Sequence, residues 1–352
     1  MTARSSPIRF FWNIWRHSAT RNDLDSAGHP SQLGARLPVL ALLTLVWANA
    51  AHGQTVHTLP TPAPVEFVTA TDKGAFIQAG GKVFAVLPCD GDAGICLKPF
   101  NLAFGQDSAP DGALPDGRVA SSGSGDIRRA WFARPSTRYA HGVLGDAIEA
   151  GSLVVVTASG SVLEAVLPES QVFEDITPRI ADLDGDGTNE VIAIRSSNSG
   201  GAAVAIYGLV ENLLTLRGAG SENGHPNRWL NIAGLIPRPD GGLTLYGVRT
   251  PHIGGRLFSL DFRYGKLTEN NDIATDVSNH IIGSRELGMS ATGQFGGRME
   301  LVLPSQNRRR LRFPLTGRAD IPLPASIDKA IVVVDGRVVT ATADGTLIVV
   351  SP

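Results

Sequence analysis

The sequence predicts an all-β chain assembled from repeated groups of short strands. Three observations predict it. The apolar runs are four to six residues long and rich in β-branched residues. Clusters of Gly, Asp, Asn, Ser and Pro separate them. No stretch of the 352 residues sustains a 3.6-residue apolar period over three turns, as an amphipathic helix would.

The N-terminus reads differently. Residues 37–51 (LPVLALLTLVWANAA) form an uncharged apolar run preceded by Arg36. Ala48-Asn49-Ala50 and Ala51-His52-Gly53 are small-x-small cleavage patterns. A basic flank, an apolar run and such a site predict a secretory signal peptide. The run is short of the roughly 20 residues of a membrane span. Residues 1–53 are therefore expected to be an extension plus signal peptide, with Leu33 as an alternative start and signal features near 33–53. An uncleaved anchor is the alternative. The expected destination is the periplasm or the exterior, with no membrane span in the mature chain. Five of the 31 basic and two of the 33 acidic residues fall in this segment, so the remaining 299 carry a formal charge of −5. That balance excludes a general nucleic-acid binder, which needs a basic face. An oxidising destination makes Cys89 and Cys96 a candidate disulfide across CDGDAGIC.

A Pro-rich lead-in at 54–64 precedes the strand candidates. These include 82–87 (KVFAVL), 153–157 (LVVVT), 162–167 (VLEAVL), 191–194 (VIAI), 310–315 (RLRFPL), 331–334 (IVVV) and 347–350 (LIVV). Self-similarity joins some of them. Residues 141–157 align with 178–194, and 289–303 with 179–193, placing Gly297 at Gly187 and Glu300 at Glu190. Turn-then-strand markers at Gly81, Gly160, Gly201, Gly255 and Gly345 imply a unit of roughly 40 to 54 residues. That is one four-stranded propeller blade. The expected fold is a β-propeller over 65–352, with seven blades and six as the alternative. A β-sandwich is the competing fold. Residues 89–126 are either a degenerate blade or an insertion. Strand candidates at 65–68 and 346–350 are the expected closing pair.

One motif carries strong chemistry. Residues 182–190, DLDGDGTNE, hold four carboxylates. Calcium takes six to eight oxygen ligands. Asp182, Asp184, Asp186 and Glu190 at positions 1, 3, 5 and 9, with the Thr188 carbonyl at 7, can wrap one Ca²⁺. Gly187 permits the tight backbone this needs. An EF-hand would require Glu at position 12, where Ala193 begins no helix but lies in an apolar run. The loop is thus expected to join two strands. A solvated acidic turn is the alternative.

DLDGDGTNE followed by VIAI resembles the FG-GAP (VCBS-type) repeat and is similar to the calcium blades of integrin α-chain propellers. The resemblance implies side-chain ligation by Asp182, Asp184, Asp186 and Glu190 and backbone ligation by Thr188. The ninth position is usually Asp in that family, and Glu190 departs from it. The aligned stretches lack the acids: Gly145, Ala147 and Glu149 stand in one, Thr292, Gln294 and Gly296 in the other. The resemblance further implies a bacterial exported binding or adhesion module.

Weaker clusters remain. Arg138, Tyr139, His141 and Asp146 lie close in sequence and form either a ligand pocket or turn chemistry that holds blades together. Arg310 and Arg312 would share one face of a strand, opposite Leu311 and Phe313, as a solvated outer strand. With Arg308 and Arg309 they also fit an acidic-polysaccharide site. Enzyme signatures such as G-x-S-x-G, H-E-x-x-H and the Walker loop are missing from the sequence. The sequence therefore favours a calcium-stabilised module that binds a protein or glycan. A propeller enzyme acting on extracellular polysaccharide is the alternative, and it would require convergent, perturbed titratable groups.

Overall fold

The computed structural model describes residues 54–101 and 110–352. The signal-peptide expectation falls outside the described residues, as do residues 102–109 of the uncertain 89–126 stretch. Among the described residues every regular element is a strand, and all pairings are antiparallel.

The chain opens with β1 (Thr55–Leu59), whose partner comes last. A four-stranded meander follows: β2 (Val65–Thr71), β3 (Gly74–Ala79), β4 (Lys82–Pro88) and β5 (Ile95–Pro99). The second comprises β6 (Ala120–Ser121), β7 (Ile127–Ser136), β8 (Glu149–Thr157) and β9 (Val162–Val166). Next, β10 (Gln171–Phe173) bridges β8 to the third meander. That meander holds β11 (Arg179–Ala181), β12 (Glu190–Ser197), β13 (Gly201–Val210) and β14 (Leu213–Ala219). The fourth has β15 (Leu230–Pro237), β16 (Leu243–Arg249), β17 (Arg256–Arg263) and β18 (Lys266–Thr275). The fifth has β19 (Ala291–Phe295), β20 (Arg298–Pro304), β21 (Arg310–Phe313) and β22 (Arg318–Pro322). The last sheet takes β23 (Val332–Val334), β24 (Arg337–Ala341) and β25 (Leu347–Ser351), and its fourth strand is β1.

That final pairing changes one boundary. The segment set apart as a lead-in supplies β1, which runs against β25 from Thr55–Ser351 to Leu59–Leu347. The strand at Val65 belongs instead to β2, in the first meander, and does not pair with β25. The Pro residues that mark 60–64 as a lead-in lie after β1, in the link to β2.

Strand patterning explains the packing. β12 and β13 are buried on both faces, so VIAI and AAVAI read as continuous apolar runs. β9 and β14 lie at sheet edges and alternate in exposure. Apolar clusters join neighbouring meanders face to face. Val65, Ile77 and Val86 pack with Val339, Leu347 and Val349 of the last sheet. Val302 and Leu311 pack with Val338 and Ile348. Val248 and Leu257 pack with Leu301 and Leu303. Phe132, Leu153, Val191, Ile206 and Phe262 tie the second, third and fourth meanders together. Burying one such side chain contributes about 1.5–3 kcal/mol.

The repeat alignments fare differently. The 289–303 match is structurally equivalent, since β19–β20 and β11–β12 are both the first two strands of a meander. The 141–157 match is not: residues 137–148 join β7 to β8, the second and third strands. Sequence similarity there follows the turn-then-buried-strand pattern and not the position in the repeat. Cys89 and Cys96 are disulfide-bonded across the β4–β5 turn, with Cα atoms 5.8 Å apart.

Candidate metal centre

The acidic loop runs from β11 to the start of β12. Its backbone folds around Asp182, whose Oδ1 accepts the Gly185 and Asp186 N–H groups at 2.7 and 3.1 Å. Its Oδ2 accepts the Gly187 N–H at 2.9 Å. Gly185 and Gly187 have φ of 79° and 90°, the left-handed region that suits glycine. Gly185 is also sterically required: a Cβ there would lie 2.8 Å from the Gly242 nitrogen.

The loop is fastened on two sides. Asn189 donates its backbone N–H to Asp126 Oδ1 at 2.7 Å, and its Nδ2 to the carbonyls of Ser124 and Ile127 at 2.6 and 2.9 Å. Those acceptors belong to the β6–β7 turn of the preceding meander. From the following meander, Leu243 N–H and Arg238 Nη2 both donate to the Leu183 carbonyl, at 2.9 and 3.0 Å. The loop therefore locks three consecutive meanders together.

Asp182, Asp184 and Glu190 each place a carboxylate oxygen within 4.8 Å of the others. Glu190 is fully buried. Its Oε2 accepts the Leu183 N–H at 2.8 Å, and its Oε1 has no partner. Asp184 Oδ1 is likewise buried and unpartnered. Burial pushes the Glu190 carboxyl up to about 7 against the lowering effect of the Leu183 N–H, and the charges of Asp184 and Asp186 add to the rise. Buried anionic oxygens without partners are costly, and an unseen ion or water is a common physical reason for them. The donor set is all hard oxygen, which suits Ca²⁺. Asp186 stands outside the triplet. Its Oδ1 accepts both the N–H and the hydroxyl of Thr188, at 2.8 and 2.6 Å, which holds its carboxyl below the usual range. So the structure assembles three of the four expected carboxylates and turns the fourth toward Thr188.

The second sequence cluster is dispersed over several contacts. Arg138 Nε donates to the Gln171 carbonyl at 2.9 Å. Tyr139 is buried, its hydroxyl accepts the Asn227 N–H at 2.8 Å, and burial pushes it up to about 12. His141 Nδ1 meets Glu174 Oε1 at 2.5 Å. Asp146 Oδ1 accepts the Ile148 N–H, and its Oδ2 pairs with Arg285, which also holds Asp116. Tyr139 and His141 meet edge-on and Arg138 and His141 both anchor to the stretch around β10, while Asp146 braces a separate segment.

Sequence reasoning missed the groups around His141. Glu174 is fully buried and accepts the Ser196 hydroxyl, while its carbonyl accepts Trp229 Nε1 at 2.9 Å. His280 Nε2 donates to the Ser284 carbonyl at 2.8 Å, because a carbonyl can only accept. His280 Nδ1 must then accept from His252 Nε2–H, 2.7 Å away. Burial lowers both imidazoles to about 4. Glu149, 1% exposed at the start of β8, is pushed up to about 10 by burial and then by the charge of Glu174. These residues are far apart in sequence, and no local motif announces them.

Half of the arginine cluster is ion-paired, while Arg308 Nε is buried without a partner and Arg309 donates to the Pro324 carbonyl. Arg310 bridges Asp276 and Asp320, and Arg312 contacts the same two carboxylates. Leu311 and Phe313 are buried on the opposite face. β21 lies between β20 and β22, so it is an inner strand of its sheet and not an edge.

Among solved structures, the chain is similar to BamB from Moraxella catarrhalis, at 11% identity and a TM-score of 0.25, covering 85% of this chain and 98% of that one. It is also similar to the WD40 domain of SCAP from fission yeast, at 11% identity and a TM-score of 0.28, covering 86% and 74%. At these scores neither likeness bears on the role of this chain. No family model and no curated protein matches it.

Proposed function

We propose that the chain is an exported, calcium-stabilised β-propeller of six blades that serves as a binding module for a protein or glycan partner. Among the described residues, six four-stranded meanders support six blades over the seven that the marker spacing favours. The β1–β25 pair would close the ring, joining the two ends of the chain in one blade. The FG-GAP resemblance supports the same fold. Export is supported by the apolar run at 37–51 and by the Cys89–Cys96 disulfide.

The observation that carries the calcium reading is the pair of buried, unpartnered oxygens, Asp184 Oδ1 and Glu190 Oε1, beside Asp182. Asp182, Asp184 and Glu190 would hold the ion, with Asp186 and Thr188 as the further ligands that the resemblance implies. The ion would neutralise the loop and fix the junction of three meanders. Titration calorimetry of the full chain with Ca²⁺ tests this. One site is expected, abolished by Asp184→Asn. No binding heat at millimolar Ca²⁺ would overturn the reading.

A propeller enzyme is the second reading, and one observation favours it. Glu149 is held protonated at neutral pH by burial and by the charge of the fully buried Glu174, and a perturbed buried carboxyl is what acid catalysis requires. Hydrolysis of an acidic or neutral polysaccharide that is lost in Glu149→Gln would establish it.

A further inference from the structure

A groove of about 550 Å³ opens between β9 of the second meander and β14 of the third. Its walls are apolar, from Leu163, Ala165 and Leu167 on one side to Leu214 and Leu216 on the other. Small residues make room for it. Ala203 and Ala205 on β13 share a face with Tyr207, which stands opposite Leu216. Val166, Leu213 and Leu216 at the rim are 53%, 64% and 41% exposed.

Glu164, which is paired with Arg134, and Gln171 and Thr215 also line the groove, and so do a guanidinium and a phenol without partners of their own among the described residues. Arg195 makes no ion pair and no side-chain hydrogen bond, although most of the described arginines are ion-paired. Tyr207 is 4% exposed, its ring packs edge-on against Phe173, and its hydroxyl has no bonded partner. Burial holds the Tyr207 hydroxyl above its ordinary range, so it stays a donor at neutral pH. A guanidinium and a hydroxyl within an apolar groove are complementary to a carboxylate attached to an apolar body. The strands beside them add a second feature. β9 pairs only with β8 and β14 only with β13, so each leaves one row of backbone groups unpaired along the groove. An extended chain can satisfy such a row, and a small amphipathic acid cannot.

We propose that this groove docks an extended peptide of a partner protein, placing an apolar side chain between Leu163 and Leu214 and a neighbouring carboxylate on Arg195 and Tyr207. The proposal rests on the chain being a binding module and is independent of calcium.

The test uses calorimetry on the full chain with three probes. They are acetyl-Thr-Phe-Thr-Glu-Thr-amide, the same peptide with Gln for Glu, and 3-phenylpropionate. Phe and Glu two residues apart lie on one face of an extended peptide. The Glu peptide is expected to bind saturably, and the Gln peptide at least about tenfold more weakly, since a charge-assisted pair is lost. Arg195→Met should erase that difference, and Tyr207→Phe should reduce it while keeping the ring. Hydrogen exchange should slow in β9 and β14 when the Glu peptide is bound. Tyr207→Phe and the peptide pair still decide the matter if Arg195→Met fails to fold. Equal affinity for both peptides, no binding, protection elsewhere, or phenylpropionate binding as tightly as the peptide would each overturn the proposal. Retained peptide binding in Asp184→Asn separates it from failure of the calcium reading.

Discussion

Glu190 and Glu300 hold matching places in two meanders, and of the two only Glu300 forms an ion pair among the described residues. Both are buried near the first turn of their repeat. Arg318 reaches Glu300 Oε1 at 2.7 Å, and the Thr316 hydroxyl donates to Oε2 at 2.6 Å. Glu190 has the Leu183 N–H and an orphaned oxygen. Arg217 influences Glu190 electrostatically, but its guanidinium is held over the Phe262 ring at 5.5 Å. One repeat thus meets its buried acid with arginine, and the other gathers two further acids around it.

Calcium should therefore stabilise the fold through the Glu190 repeat alone. At a hundred times its dissociation constant a ligand adds about 2.7 kcal/mol. Differential scanning calorimetry should show the melting temperature rising by a few degrees with Ca²⁺ and returning with EGTA. Asp184→Asn should melt at the same temperature in both conditions.

Arg318→Met should destabilise with or without calcium. Breaking a fully buried pair costs about 3–5 kcal/mol. The Arg318 side chain is 26% exposed, so a loss of roughly 2–3 kcal/mol is expected from urea unfolding. The double variant Arg318→Met/Glu300→Gln should recover part of it, because the stranded charge is gone.

Two opposed pH effects are expected. Glu149 binds its proton up to about 10 in the fold, against an ordinary 4.5. Its contribution is therefore present below pH 4.5 and is lost as pH rises toward 10. His252 and His280 are neutral down to about 4 in the fold, against 6.5 when exposed. Their unfolded forms take up protons first, so stability is lost as pH falls from 6.5 to 4. Urea midpoints measured from pH 4 to 9 should peak between these limbs. Glu149→Gln should flatten the alkaline limb and, where the two ranges overlap between pH 4.5 and 6.5, steepen the acid one.

Asn189→Ala should loosen the acidic loop from the β6–β7 turn. The side chain gives up two bonds to carbonyls, the Ile127 one buried and the Ser124 one partly so, at about 1 kcal/mol each. A loss of roughly 2 kcal/mol is expected, and calcium affinity should fall with it because the loop is no longer preordered. An unchanged affinity would show that the loop is held by Arg238 and Leu243 alone.

Much of the strand pattern was legible because short β-branched runs admit few alternatives. KVFAVL, VIAI and LIVV all lie in strands. The acidic loop was legible because four acids in nine residues have few uses. Asp186 departed from its expected place because Thr188 offers two local donors, a competition that spacing does not reveal. β1 was hidden by its own composition: TVHTL is barely apolar, since only one edge of the strand is paired. The His252–His280 chain and the Glu149 burial arise from loops that meet only in three dimensions.

The pairing of β1 with β25 also sets an order of events during synthesis. Thr55 is made long before its partner Ser351. The last sheet cannot be completed until β25 has been made. Until then β1 waits as a free strand, and the first and fifth meanders lack the completed sheet they pack against. Such a long-range contact slows folding and leaves intermediates with exposed edges. The slowest step of assembly should therefore be the return of the first strand to the last.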